Sequence, residues 1–143
     1  MNYPRIVLAG FARTIVYFAC GFLISGKLIA KYYAPYTAVY RPVDQVMHYF
    51  PIGIASTLFA ILVLAAIYAK GYEGGAGWLE GARFGFLVGL FVVFAVVGDE
   101  YVTPNIGREL ALAMAVGRLM GWIVVGAVIG LVYKPAASVA PHA

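Results

Sequence analysis

The chain has 143 residues, 64% of them hydrophobic and 11% charged, with a formal charge of +4. Soluble domains carry about 25% charged residues, so this composition leaves too few charges to clothe a surface in water. The ten basic residues are dispersed, without the run of about four to eight that a nucleic-acid or headgroup patch would show. One cysteine, Cys20, rules out an internal disulfide and a thiolate metal cluster.

Four long apolar runs, at 6–29, 49–69, 84–98 and 110–133, dominate the chain. A membrane-spanning helix needs about 20 mostly apolar residues, against roughly 10–14 for a helix buried in a soluble core. The expected fold class is therefore all-α: an integral-membrane four-helix transmembrane bundle with both termini on one side. One four-span domain over 1–134 uses nearly the whole chain, with spans expected at 5–30, 48–70, 78–101 and 104–133. A flexible tail is expected at 135–143.

The first run, with Arg5 ahead of an apolar core, superficially resembles a cleaved signal. Arg13 interrupts it and no small-residue cleavage site follows, so it reads as a retained first span. Within it Cys20 reads as a small hydrophobe. Pro35 and Pro42 then break helix, and Tyr32, Tyr33, Tyr36, Tyr40 and Tyr49 crowd the connection and its edges. Tyrosine prefers the headgroup zone, so this loop is expected to lie along the membrane surface, with a short helix at 43–48.

The second span is expected to place Pro51 in its first turn, where a missing N–H costs little. A glycine-rich turn at 71–76 leads to the third span. Thr103 as N-cap and Pro104 at the first helical position mark the start of the fourth, and Lys134-Pro135 its end. Basic residues flank the two sides equally: Arg5, Lys70, Arg83 and Lys134 against Lys27, Lys31, Arg41 and Arg108. The positive-inside rule then gives no orientation. The long tyrosine loop suits the outer face, which puts both termini in the cytoplasm of a bacterial inner membrane. A weak echo relates 21–24 to 85–88 and is too short to establish a duplication.

Glycine spacing is the most regular local pattern. Gly77, Gly81, Gly85 and Gly89 recur every fourth residue on the third span; Gly117 with Gly121, and Gly126 with Gly130, do so on the fourth. Four-residue spacing stacks small residues on one helix face, as in a glycine zipper, and lets backbones approach closely where lipid supplies no hydrophobic drive. Spans three and four should make the tightest pair.

Ionisable residues at membrane depth are the other informative group. Arg13 and Arg118 are each expected roughly 10–12 Å inside a span. A charge at the bilayer centre costs about 2.5–3.5 kcal/mol on insertion scales, so each should find a partner. Sorting by depth pairs Arg13 with Glu80, and Arg118 with Asp99 or Glu100. These pairs read as structural, or as a proton or ion site.

Other chemistry finds no support. Only His48 and His142 are present, which cannot supply a haem held from two helices or a histidine metal cluster. Ser25, Ser56, Thr14 and Thr57 lack a histidine in register for a triad, and Gly74-Gly75-Ala76-Gly77 lacks the Lys and Ser/Thr of a phosphate loop. No catalytic, cofactor-binding or metal-ligating residue is therefore expected, and no enzyme activity. The expected partners are the lipid bilayer and other membrane subunits or further copies of the chain, with no nucleic acid. Two functions follow from this: a non-catalytic subunit or assembly protein docking through glycine faces and the tyrosine loop, or a small transporter or channel for a proton, ion or small solute using Arg118 with Asp99 or Glu100.

Overall fold

The computed structural model describes residues 3–72 and 76–132. The expected tail at 135–143, the helix stop at Lys134-Pro135 and His142 lie outside the described residues. All regular structure among the described residues is helical. Helix α1 (Tyr3–Leu23) runs into a π-helical turn at Ile24–Leu28, then a short α2 (Ala30–Tyr33) and a 3₁₀ turn at Ala34–Tyr36. Helix α3 is Val43–Lys70 and α4 is Gly77–Val92. A second π turn at Val93–Val97 joins α4 to α5 (Gly98–Val102), and α6 is Arg108–Val132.

Three stretches, Asp44–Lys70, Gly77–Val102 and Arg108–Val132, are long and apolar enough to cross a membrane. The first apolar run qualifies only as a bent pair, Arg13–Leu28 with Ala30–Tyr36, turned through 65°. The span expected over 5–30 is thus interrupted at Ile29. The break has a sequence cause: Ser25-Gly26 weakens the helical ladder. The Ile29 N–H bonds the Ile24 carbonyl at 2.9 Å, five residues back, and Ile29 leaves helical geometry at φ −108°, ψ 2°.

Two more boundaries move. The second span begins at Val43, absorbing the short helix expected at 43–48, so Pro51 sits in a helix interior rather than a first turn. The fourth begins at Arg108: Thr103 closes α5 and its hydroxyl donates to Asp99 Oδ1 at 3.3 Å. Thr103 bonds backward along the chain and therefore does not cap the helix ahead of it.

Large apolar side chains point outward: Val102 is 82% exposed, Phe94 77%, Ile15 and Phe59 72%. Such a surface suits lipid and would drive association in water. Inside, two apolar clusters form. One joins Ala65 and Tyr68 of α3 to Val125 and Ile129 of α6, with Tyr17, Phe84 and Trp122 against it. The other, at the tyrosine-loop end, joins Ile29, Val97, Ile106, Leu110, Ala111 and Met114.

Helices α4 and α6 make the tightest contact, through glycine. A Cβ on Gly81 would stand 2.7 Å from Gly130 N and 2.9 Å from its Cα; one on Gly126 would stand 2.6 Å from Gly85 Cα. The obstructing atoms are backbone, so only glycine permits this crossing. Gly77 and Gly130 belong to the same contact, and Gly89 faces Leu119. Gly117 and Gly121 do not join it. A Cβ on Gly117 would meet Ile24 Cγ2 at 2.7 Å, so this pair faces the first π turn instead of α4. Four residues overshoot one helical turn by about 40°, and the nine from 117 to 126 end about half a turn away, so these glycines face two different neighbours of α6.

Candidate functional site

The tyrosine connection folds inward over the end of the bundle. Tyr36 accepts a hydrogen bond from the Gly107 N–H at 2.8 Å, the Tyr33 and Tyr40 rings meet edge-on at 5.1 Å, and Tyr40 reaches Met114 Sδ at 3.9 Å. Tyr32, Tyr33, Tyr36 and Tyr40 all pack on the cluster around Leu110 and Met114. The loop accordingly packs its tyrosines onto the helix ends as a cap. Tyr49 is exposed beside it, and its ring carries the Arg41 guanidinium at 4.1 Å and the His48 ring at 5.1 Å.

Beneath this cap, between the two apolar clusters, lies a cavity of about 340 Å³. Its walls come from α1 and the first π turn (Tyr17, Cys20, Ser25), from the second π turn (Val96) and from α6 (Arg118, Trp122). Both π turns therefore border one cavity. A π turn widens a helix locally and leaves irregular backbone, and such turns are frequent at functional sites. Among the described residues, the only charged side chain lining the cavity is Arg118.

Arg118 lies ten residues into α6, about 15 Å from its start. Helical side chains lean toward the N-terminus, so the guanidinium reaches back toward the cap. There its Nη2 donates to both oxygens of Glu100, each at 2.9 Å. Of the two acids offered for Arg118, the structure selects Glu100. Asp99 projects about 100° away on the helix, exposed and hydrogen-bonded by Thr103. Both members of the pair are about one-third exposed, at 35% for Arg118 and 32% for Glu100. Near them, burial first and the Glu100 charge second push the Tyr40 pKa above its ordinary value.

Arg13 behaves differently from expectation. It is 1% exposed, and its Nη2 donates to the Ile129 carbonyl at 3.0 Å. Its Nε and Nη1 have no hydrogen-bond partner. Among the described residues an ion pair is formed by Arg118 and none by Arg13, so the expected Arg13–Glu80 pair gives way to a carbonyl contact. Height does not separate them, since Ile129 adjoins Gly130, which meets Gly77 and Gly81 on either side of Glu80; they differ in face, Glu80 lying about 100° around α4 from Gly81.

Sequence reasoning placed Arg118, Asp99 and Glu100 at one end but missed the aromatic and polar walls around them. Ser25-Gly26 was the available sign of the first π turn; the apolar stretch 93–97 contains no comparable sign of the second. Cys20 and Trp122, read as packing residues, both line the cavity, where Trp122 also stacks on Tyr17 at 5.5 Å. No group of metal-ligating side chains occurs among the described residues. Comparison with protein-family models, with curated proteins and with solved structures finds no match to this chain.

Proposed function

We propose that this is a small four-span protein of a bacterial inner membrane, with both termini in the cytoplasm, working as a non-catalytic subunit or assembly protein. The observation that carries this reading is the splay of α3. Its C-terminal half is packed through Ile61, Ala65 and Tyr68, yet every residue from 44 to 56 is exposed, apart from Val43 beside them whose side chain is not described. This half includes Asp44, Gln45, His48 and Ser56, polar groups that a face meant only for lipid would not favour, together with Gly53, which has nothing within 4 Å. Small and polar residues on an uncovered transmembrane face suit a second helix, from another subunit or another copy. The test is affinity purification of the tagged chain in mild detergent, with a photo-crosslinker at Gly53 or Ser56. A defined cross-linked complex supports the reading; a monomer that cross-links only to lipid defeats it.

The cavity favours a second reading, a small carrier. Four helices enclose little room, and two π turns here enlarge it around a single guanidinium. Proteoliposome uptake of candidate solutes, dependent on Arg118, is the corresponding assay.

A further inference from the structure

We propose that the cavity beneath the tyrosine cap is a binding site for an organic carboxylate with an apolar body, taken up together with one proton that Glu100 receives. The site goes beyond the subunit reading and deepens the carrier reading, on which its transport consequence alone rests.

Three observations meet in it. The cavity holds about 340 Å³, room for about eleven water-sized groups, which matches a small organic molecule. Its lining offers flat and aliphatic surface from Trp122, Tyr17, Val92 and Val96. Among the described residues its single charge is cationic, because Arg118 lines the cavity while Glu100, its counter-charge, does not. An anion entering from this side meets the guanidinium without first meeting a carboxylate.

The hydrogen bonds leave donors free. Both bonds to Glu100 come from Nη2, and among the described residues Nε and Nη1 of Arg118 donate to nothing. A carboxylate in the cavity can therefore be bound before the Glu100 contact is given up. Ser25 and Tyr33 add hydroxyl donors to the same space.

Charge balance supplies the proton. The resting pair, Arg118⁺ with Glu100⁻, is neutral. Adding a ligand carboxylate leaves two anions on one cation in a partly buried, low-dielectric place, and like charges sharing a site push one of them to the protonated form. The balanced exchange is Arg118⁺·Glu100⁻ plus RCOO⁻ plus H⁺ giving Arg118⁺·RCOO⁻ plus neutral Glu100; no covalent bond other than the new O–H forms. The groups facing Glu100 are Arg118 from α6, Tyr33 from α2 and Tyr40 from the loop. Neither tyrosine can supply positive charge, so the proton falls to one of the two carboxylates; the ligand takes the free Nε and Nη1 donors and stays ionised, and Glu100 receives the proton. Asp99, on the same helix, is held by Thr103.

The experiment uses the full chain carrying Trp78→Phe, so that Trp122, in the cavity wall, is the remaining tryptophan. Para-nitrobenzoate, a carboxylate that quenches indole, is titrated in detergent micelles and in proteoliposomes. Saturable quenching is expected, with affinity rising toward tenfold per unit of acidification, the signature of one linked proton. Glu100→Gln should bind more tightly and lose the pH dependence. Arg118→Gln should lose binding; should that variant fail to fold, Arg118→Lys, which keeps the charge without the fork, should bind at least tenfold more weakly. Benzoate and oleate then compete for the site. Displacement by either supports it and tells a water-borne ligand from a bilayer-derived one, while displacement by neither overturns it. A wild-type affinity identical across pH overturns the proton exchange, and binding unchanged in the arginine variants overturns the site. Binding without uptake into proteoliposomes would retire the carrier reading and leave the site standing.

Discussion

The crossing of α4 on α6 makes a sharp quantitative demand of Gly81. An alanine there would put its Cβ 2.7 Å from Gly130 N and closer still to the Gly126 carbonyl oxygen, whereas ordinary contact begins at 3.4 Å, a shortfall of at least 0.7 Å. Backbone cannot rotate aside as a side chain can, so the helices must separate by a similar amount. A radial gap of 0.5–1 Å forfeits a quarter to a half of each dispersion well, and wells are ~0.1–0.2 kcal/mol per atom pair. Over about forty pairs near the crossing, a loss of one third comes to ~2 kcal/mol, inside the range of about 1–3 kcal/mol known for overpacked cores. In lipid no hydrophobic term offsets it. Gly53→Ala is the matched control: nothing lies within 4 Å, and alanine favours helix by about 0.5–1 kcal/mol. Reversible unfolding in mixed detergent micelles, followed by the fluorescence of Trp78 and Trp122, measures both. Gly81→Ala and Gly126→Ala should each lose ~2 kcal/mol, and the double variant less than the sum, because one separation relieves both clashes. If Gly81→Ala is as stable as Gly53→Ala, the close crossing does not exist in the membrane-embedded protein and the packing argument fails.

Arg13→Met tests whether the buried guanidinium stabilises anything. With Nε and Nη1 unpartnered, removing the charge while keeping the stem's bulk should be neutral or raise stability by about 1–3 kcal/mol in the same unfolding assay; a loss of that size would reveal a counter-charge. Tyr36→Phe removes the acceptor of the Gly107 N–H, and should speed hydrogen exchange across 106–110 by about five- to tenfold, matching ~1 kcal/mol; unchanged exchange would mean the cap is held elsewhere. The upward shift of Tyr40 has a definite sign: the unfolded chain ionises first, so this stabilisation is complete below pH about 10 and is lost as pH rises through the folded value. Tyr40→Phe should flatten the alkaline fall in unfolding free energy, and an identical fall would assign the slope to other groups. Reporter fusions at the two ends should both read cytoplasmic; opposite readings would mean that the bent first segment re-enters the membrane instead of crossing it.

Hydropathy made the membrane solvent and the helical class legible, because length and apolarity alone fix them. Glycine spacing identified the α4–α6 contact, since a four-residue repeat is a geometric statement about one face. It failed at Gly117 and Gly121, where the azimuth drifts and only the arrangement of α1 decides the neighbour. Ion pairing was half legible. Arg118 and Glu100 sit at one end of consecutive antiparallel segments, so chain order alone brings them together. Arg13 and Glu80 come to similar heights, and spacing along the chain does not say which face of α4 turns toward α1. The cavity was not legible at all, because it arises from backbone widening at two places and from a 65° bend.

That bend and those two π turns bear on why the cavity exists. Ile24 and Ser25 of the first π turn and Val96 of the second line the same cavity as Arg118. Each π turn weakens the local hydrogen-bond ladder, which in lipid has no water to compensate it. Two such departures bordering one cavity, with the Arg118–Glu100 ion pair at their edge, place the irregular backbone where it lines a space rather than where it meets lipid. Packing alone would favour closing that space, as the glycines do only a few turns away on the same helix. Restoring regular α-helix by deleting one residue within 93–97 should therefore raise stability while abolishing whatever the cavity binds; a deletion that leaves ligand quenching of Trp122 intact would show that the π turn is incidental to the site.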